Sequence, residues 1–215
     1  MASPRAGRHL HAASTTARHH ATSDTSLLRA LLARLLPDRH PEPAANPPAG
    51  PDALVQVYRR AGHLHVEASN RTRWAEAGFW VASGEVTTLD EHVDDTTLGG
   101  AVLDAVARSR VEVPVPPRDA TLEAGLFRAM GVRSRRSAMS GTCACLVSRE
   151  KEPIPSLRIE ALHNGGTRGD GRGYRALPGQ PAPVDAVTII PLDVVAPTTL
   201  GAAVRRALQV ATLVS

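Results

Sequence analysis

Thr96-Thr97-Leu98-Gly99-Gly100-Ala101-Val102, with Ala105 and Val106 behind it, is written a second time as Thr198-Thr199-Leu200-Gly201-Ala202-Ala203-Val204, with Ala207 and Leu208. Apolar residues at Leu98, Val102, Ala105 and Val106, and at Leu200, Val204, Ala207, Leu208 and Ala211, fall on the stripe of an amphipathic helix. Each copy follows a run suited to a strand, Glu85 to Leu89 in the first and Ala186 to Leu192 in the second. The repeated unit is therefore strand, short acidic or proline turn, helix. Pro197 suits the first helical position, where its missing N–H has no partner to lose. Its counterpart Asp95 carries a carboxylate that the helix dipole favours there. The small pair after Leu, Gly99-Gly100 or Gly201-Ala202, costs helix propensity of up to about 1 kcal/mol per glycine. Either these residues let the helix approach a neighbouring backbone, or they are relics of a duplication.

Working outward, Leu54, Val55, Val57 and Tyr58, then Leu64, Val66 and Ala68, flank Arg60-Ala61-Gly62-His63, a hairpin signal. Gly78 to Ala82 predicts a third strand leading into Glu85 to Leu89. Val113-Pro114-Val115-Pro116-Pro117 forces an extended crossing after the first repeat helix. A further helix is expected over Ala120 to Met130, with Leu122, Leu126, Phe127 and Met130 inward and Gly131 as its cap. Thr142 to Val147 and Leu157 to Leu162 read as two strands joined through Pro153 and Pro155. The mixture predicts an α+β fold, a mostly antiparallel sheet with helices packed on one face and two similar strand–helix units.

A chain of 215 residues with 42% hydrophobic content supports one real core. Residues 51–215 are expected to form that single domain. Residues 1–50 read as a disordered linker tail with a proline-rich end from Pro37 to Pro51 and one amphipathic helix candidate, residues 26–36. They carry five of the nine histidines and look like a dispensable tail or an early start codon rather than a targeting signal. No apolar run is long enough to span a membrane. The basic residues are 24 Arg and one Lys, a bias that is no nucleic-acid signature by number alone.

Charge is nonetheless segregated. From Trp74 to Ala107 there is no Lys or Arg, while Glu76, Glu85, Asp90, Glu91, Asp94, Asp95 and Asp104 fall within that span. Arg133, Arg135 and Arg136 belong to a basic stretch after it. The acids can serve helix ends and solubility, or form an anionic patch that meets a basic partner. Asn164 to Gly173 holds five glycines but fits neither the P-loop nor the dinucleotide fingerprint, so a flexible connection competes with an anion nest. Cys143 and Cys145 share one strand face and read as buried small hydrophobes. His63 and His65 also share a face, without an evident third metal ligand. No nucleophile elbow, zincin motif or Cys–His pair is present, so no catalytic residue, metal or cofactor is expected.

The order of motifs resembles the immunity proteins of contact-dependent growth inhibition systems. It is carried by Gly78-Phe79-Trp80, the Leu98-Gly99 helix ending in Ser109-Arg110, and Val113-Pro114-Val115-Pro116. It continues in His163-Asn164-Gly165, Gly173-Tyr174-Arg175-Ala176-Leu177, Ile189-Ile190-Pro191-Leu192 and the second Leu200-Gly201 helix, covering about Ala53 to Leu213. The resemblance implies a non-enzymatic, cytoplasmic inhibitor that binds the C-terminal domain of a cognate toxin, often a nuclease. Because many such toxins are basic, Glu85, Asp90, Glu91, Asp94 and Asp95 are the expected toxin-binding residues, although residues 51–215 as a whole are nearly neutral. Two other readings stand beside it: an anion- or nucleic-acid-binding module built on the arginine cluster and the glycine loop, and a small hydrolase or transferase, for which the sequence shows no convergent polar pocket. Oligomeric state is open.

Overall fold

The computed structural model describes residues 50–73, 78–117, 121–151, 153–167, 173–177 and 186–211. The tail and its helix candidate, residues 26–36, lie outside them, as do residues 168–172 of the glycine loop.

β1 (Ala53–Arg60) and β2 (His63–Arg71) form the expected hairpin, with Arg60 paired to His63 across a two-residue turn. Both turn residues have positive φ, 48° at Ala61 and 78° at Gly62. That is the primed geometry whose twist matches the flanking strands. β3 (Trp80–Asp90) pairs with β2. It absorbs both runs read upstream of the first repeat helix, because a register shift opposite Glu67 to Ser69 carries the strand through Gly84 at φ 80°. β4 (Cys143–Glu150) pairs with β1 and β5 (Ser156–Asn164) with β4. The first half of β5 then pairs with β7 (Val187–Pro191) and its second half with β6 (Tyr174–Ala176). The result is an antiparallel seven-stranded sheet in the order β3-β2-β1-β4-β5-β6, with β7 beside β5.

The repeat helices are α1 (Asp95–Arg108) and α4 (Pro197–Val210). Alternate strand residues, including Val55, Val57, Leu64, Val66, Cys145, Val147, Leu157 and Ile159, meet Leu98, Val102, Leu200, Val204 and Leu208 in one core. Ser109 fastens the end of α1 to the sheet, donating to the Ser69 carbonyl at 2.5 Å and accepting from the Leu54 N–H at 3.1 Å.

The close-approach reading of the small pair holds for its first member. An added β-carbon at Gly99 would stand 2.6 Å from the Pro197 carbonyl carbon and nearer still to its oxygen. At Gly201 the same atom would stand 2.7 Å from the Asp95 carbonyl carbon. Each helix thus seats its glycine on the other's first residue, and Thr96 Oγ1 meets Thr198 Oγ1 at 2.8 Å between them. Around Gly100 there is open space.

The opposite face holds a second, smaller cluster of Tyr58, Leu126, Ala144 and Leu162. It lies beneath α2 (Ala124–Ala129), and α3 (Arg135–Met139) follows. α2 is shorter than the helix expected over 120–130, whose first residue lies outside the described residues. Only Leu126 of its expected inward set is buried, while Leu122, Phe127 and Met130 are half-buried. Gly131 follows the C-cap Met130 with φ 65°, and its N–H reaches the Arg128 carbonyl at 3.1 Å. α3 has no apolar periodicity to betray it. Its start is fixed by the Ser134 hydroxyl, which accepts from the Ser137 N–H at 3.2 Å.

Candidate functional site

The acidic stretch turns the chain from β3 into α1, and the turn is built largely from its own carboxylates. Asp90 Oδ1 accepts from the His92 N–H at 2.7 Å. Asp94 is the N-cap of α1, its Oδ1 accepting from the Thr97 N–H at 2.9 Å and its Oδ2 from the Thr97 hydroxyl at 2.8 Å. Those hydrogen bonds, the backbone one first, hold the Asp94 carboxyl below its ordinary pKa. Asp95 pairs with Arg205 of α4 at 2.7 Å. The same guanidinium donates to the Glu91 carbonyl at 2.7 Å and to the Val93 carbonyl. Glu91 itself lies 3.7 Å from Arg59.

Arg205 therefore closes the corner by neutralising one acid and satisfying two turn carbonyls. Arg205→Met keeps most of the side chain's length but removes all three bonds. It is expected to lower unfolding free energy by about 2 kcal/mol, read by denaturant titration with an unchanged slope.

The structure thus brings together Asp90, Glu91, Asp94 and Asp95, and sets Glu85 apart. Glu85 lies five residues back along β3, about 17 Å by strand rise, and is exposed beside Arg108 at 3.6 Å. At the corner four carboxylates stand against two guanidinium groups, Arg59 and Arg205. Among the described residues neither Asp90 nor Asp94 shows an ion pair, and because Asp94 caps α1, Asp90 is the acid most available to a partner. Beside it lies a small cleft of about 130 Å³ lined by Arg59, Leu64, Glu91, His92, Arg205, Leu208 and Gln209.

The residues of the anion- or nucleic-acid-binding reading are also drawn together. The glycine loop is closed at its base, Gly165 N–H to Gly173 O at 2.9 Å and Gly173 N–H to Gly166 O at 2.8 Å. Asn164, buried, donates to the carbonyls of Met139 and Thr142 at 2.7 and 2.9 Å and accepts from the Gly166 N–H at 3.1 Å. The His163-Asn164-Gly165 motif therefore ties the end of β5 to α3. Arg135 reaches the Gly173 position, 3.8 Å from where a β-carbon would stand, but its charge faces Glu123 at 3.7 Å.

Cys143 and Cys145 are free and buried, as read, and burial pushes the Cys145 thiol far above its ordinary pKa. His65 is buried with Nδ1 3.1 Å from Thr88 Oγ1, and His63 stacks over it at 6.3 Å. Burial, then the His63 and Arg60 charges, pushes the His65 pKa down. Among the described residues no three His, Cys, Asp or Glu side chains are grouped to hold a metal.

One group escaped the sequence reading. Glu67 alternates with His65 and Ser69 along β2, a pattern that ordinarily marks a solvent face, yet all three are buried because α2 covers that face.

The sequence matches no protein-family model and no curated protein. The fold, however, has solved counterparts. A protein of unknown function from Neisseria meningitidis matches at 18% identity and a TM-score of 0.55, over 74% of this chain and 95% of that one. A chain of the CdiA-CT/CdiI toxin and immunity complex from Yersinia pseudotuberculosis matches at 17% identity and a TM-score of 0.54, over 74% of this chain and 97% of that one. At these identities the likeness is one of fold. No described helix is long and apolar enough to cross a membrane.

Proposed function

We propose that the chain is an immunity protein, a non-catalytic cytoplasmic inhibitor that binds the C-terminal domain of a cognate contact-dependent growth inhibition toxin. The observation that carries this reading is the fold shared with a chain of a toxin and immunity complex, nearly end to end on that chain. The sequence resemblance over about Ala53 to Leu213 points the same way. Co-expression of the full chain with the C-terminal domain of a toxin-like protein encoded beside it tests the reading. Growth rescue and a nanomolar complex are expected, and neither rescue nor binding would refute it.

The acidic corner of Asp90, Glu91, Asp94 and Asp95 is the proposed contact face, with Glu85, set apart along β3, as a more distant carboxylate of the same surface. Asp94 and Asp95 also hold α1 in place, so reversing their charge would damage fold and contact together. Glu85→Gln, Asp90→Asn and Glu91→Gln combined leaves the helix cap intact and keeps an acceptor for the His92 N–H. The triple variant is expected to bind toxin about tenfold more weakly, with a shallower salt dependence, at an unchanged melting temperature. Undiminished affinity would move the contact face elsewhere without touching the immunity reading.

A further inference from the structure

On the sheet face away from α1 and α4, a cavity of about 310 Å³ opens between the strands, α2 and α3, at the small end of ligand-pocket sizes. Its walls carry Gln56, Tyr58, Glu123, Met130, Arg135 and Tyr174. The rings of Tyr58 and Tyr174 meet edge to face at 5.5 Å between centroids. Glu67 lies in β2 directly across from Gln56 on the same face. It is 3% exposed and stands behind the cavity wall rather than on it, and its Oε1 has no hydrogen-bond partner among the described residues. Its electrostatic neighbours, Tyr58 and Glu123, both belong to the cavity wall.

A buried carboxyl oxygen without a donor is costly, and native folds ordinarily supply one. The wall's own cation does not. Arg135 is more than half exposed and faces Glu123 at 3.7 Å. With Glu67 ionised, two carboxylates therefore stand against one guanidinium, beside two aromatic rings. What is missing is a second positive charge.

We propose that this cavity is a binding site for a guanidinium or alkylammonium group, whose charge answers the carboxylates of Glu123 on the wall and Glu67 behind it and rests against the Tyr58 and Tyr174 rings. The site does not depend on the immunity reading. A basic side chain presented by a protein partner and a free small cation share the required chemistry.

The test is a titration of the full chain with agmatine, N-acetyl-arginine methylamide and inorganic phosphate, followed by tyrosine ring resonances and calorimetry. Both guanidinium probes are expected to saturate with a dissociation constant of about 1 mM or tighter. Glu67→Gln, nearly isosteric, should weaken them at least about tenfold, whereas Asp90→Asn at the acidic corner should change nothing. Met130→Phe, which fills the cavity without touching the carboxyl, should block binding as well and covers the case in which Glu67→Gln does not fold. Equal binding of the two probes assigns the site to a presented side chain, and markedly tighter agmatine assigns it to a free cation. Lack of saturation by either probe, saturation by phosphate in their place, or full affinity in Glu67→Gln would overturn the proposal.

Discussion

Gly99→Ala is expected to melt about 10 °C below the parent, while the same change one residue along, Gly100→Ala, leaves the domain as stable or more so. The two positions have the same chemistry and the same helix. They differ in what lies beyond the α-hydrogen. The Gly99 β-carbon would be driven into the Pro197 carbonyl group, a backbone target that no rotamer change can clear. Relief requires α1 and α4 to separate. That would break the Thr96–Thr198 contact and disturb the Arg205–Asp95 pair, both of which bridge the same two helices. Overpacking of this kind costs about 3 kcal/mol, and more when backbone must move. At Gly100 the space is open, so alanine contributes only its better helix propensity, up to about 1 kcal/mol. Gly201→Ala should repeat the Gly99 loss through the Asp95 carbonyl. Because both glycines belong to one interface, the double variant should lose less than the sum of the singles. Thermal melts of the four proteins decide the matter. Equal losses at Gly99 and Gly100 would reduce the effect to general helix sensitivity and remove the close-packing explanation.

That interface was partly legible beforehand. Repetition revealed the two helices and their faces, and the small residues hinted at close approach, but nothing in a sequence says which backbone a glycine approaches. The β1–β2 hairpin was readable because Ala61-Gly62 sits between two apolar runs, and β4 and β5 because their apolar residues cluster. The second layer was readable only in part. α2 was expected, though over a longer span, whereas α3 is too short to show a period, so its formation depends on Ser134 and on docking rather than on local pattern. Without that layer, β2 presents His65, Glu67 and Ser69 as a wet face, and the cavity goes unseen. The acidic corner was visible as composition. That Asp94 caps a helix and Asp95 holds Arg205, leaving Asp90 freer, required coordinates.

Glu67→Gln should stabilise the domain in a strongly pH-dependent way. Burial first, and the Glu123 charge second, raise the Glu67 carboxyl from its model-peptide value of 4.5 to about 7. Tyr58 on β1 and Glu123 ahead of α2 act on this carboxyl or feel its charge, and Arg135 of α3 is spent on Glu123. None of them offers Glu67 a matched cation. The folded state therefore holds the proton more tightly than the unfolded chain. Stability is fully present below the unfolded value, falls as pH rises through the interval up to about 7, and levels off above it. The shift corresponds to about 3 kcal/mol lost by the parent between about pH 4 and pH 8, an order-of-magnitude figure. Glutamine keeps the shape of the protonated acid and does not titrate. Its advantage over the parent should thus be near zero at the acid end and grow to that amount at the alkaline end, read from denaturant midpoints at fixed salt. A constant advantage at every pH would mean that Glu67 is already matched in the folded protein and that its charge needs no guest. If the advantage grows as expected, agmatine should erase part of it. A cation bound near ionised Glu67 stabilises only the protein that still has the carboxylate, and the gain follows ligand concentration.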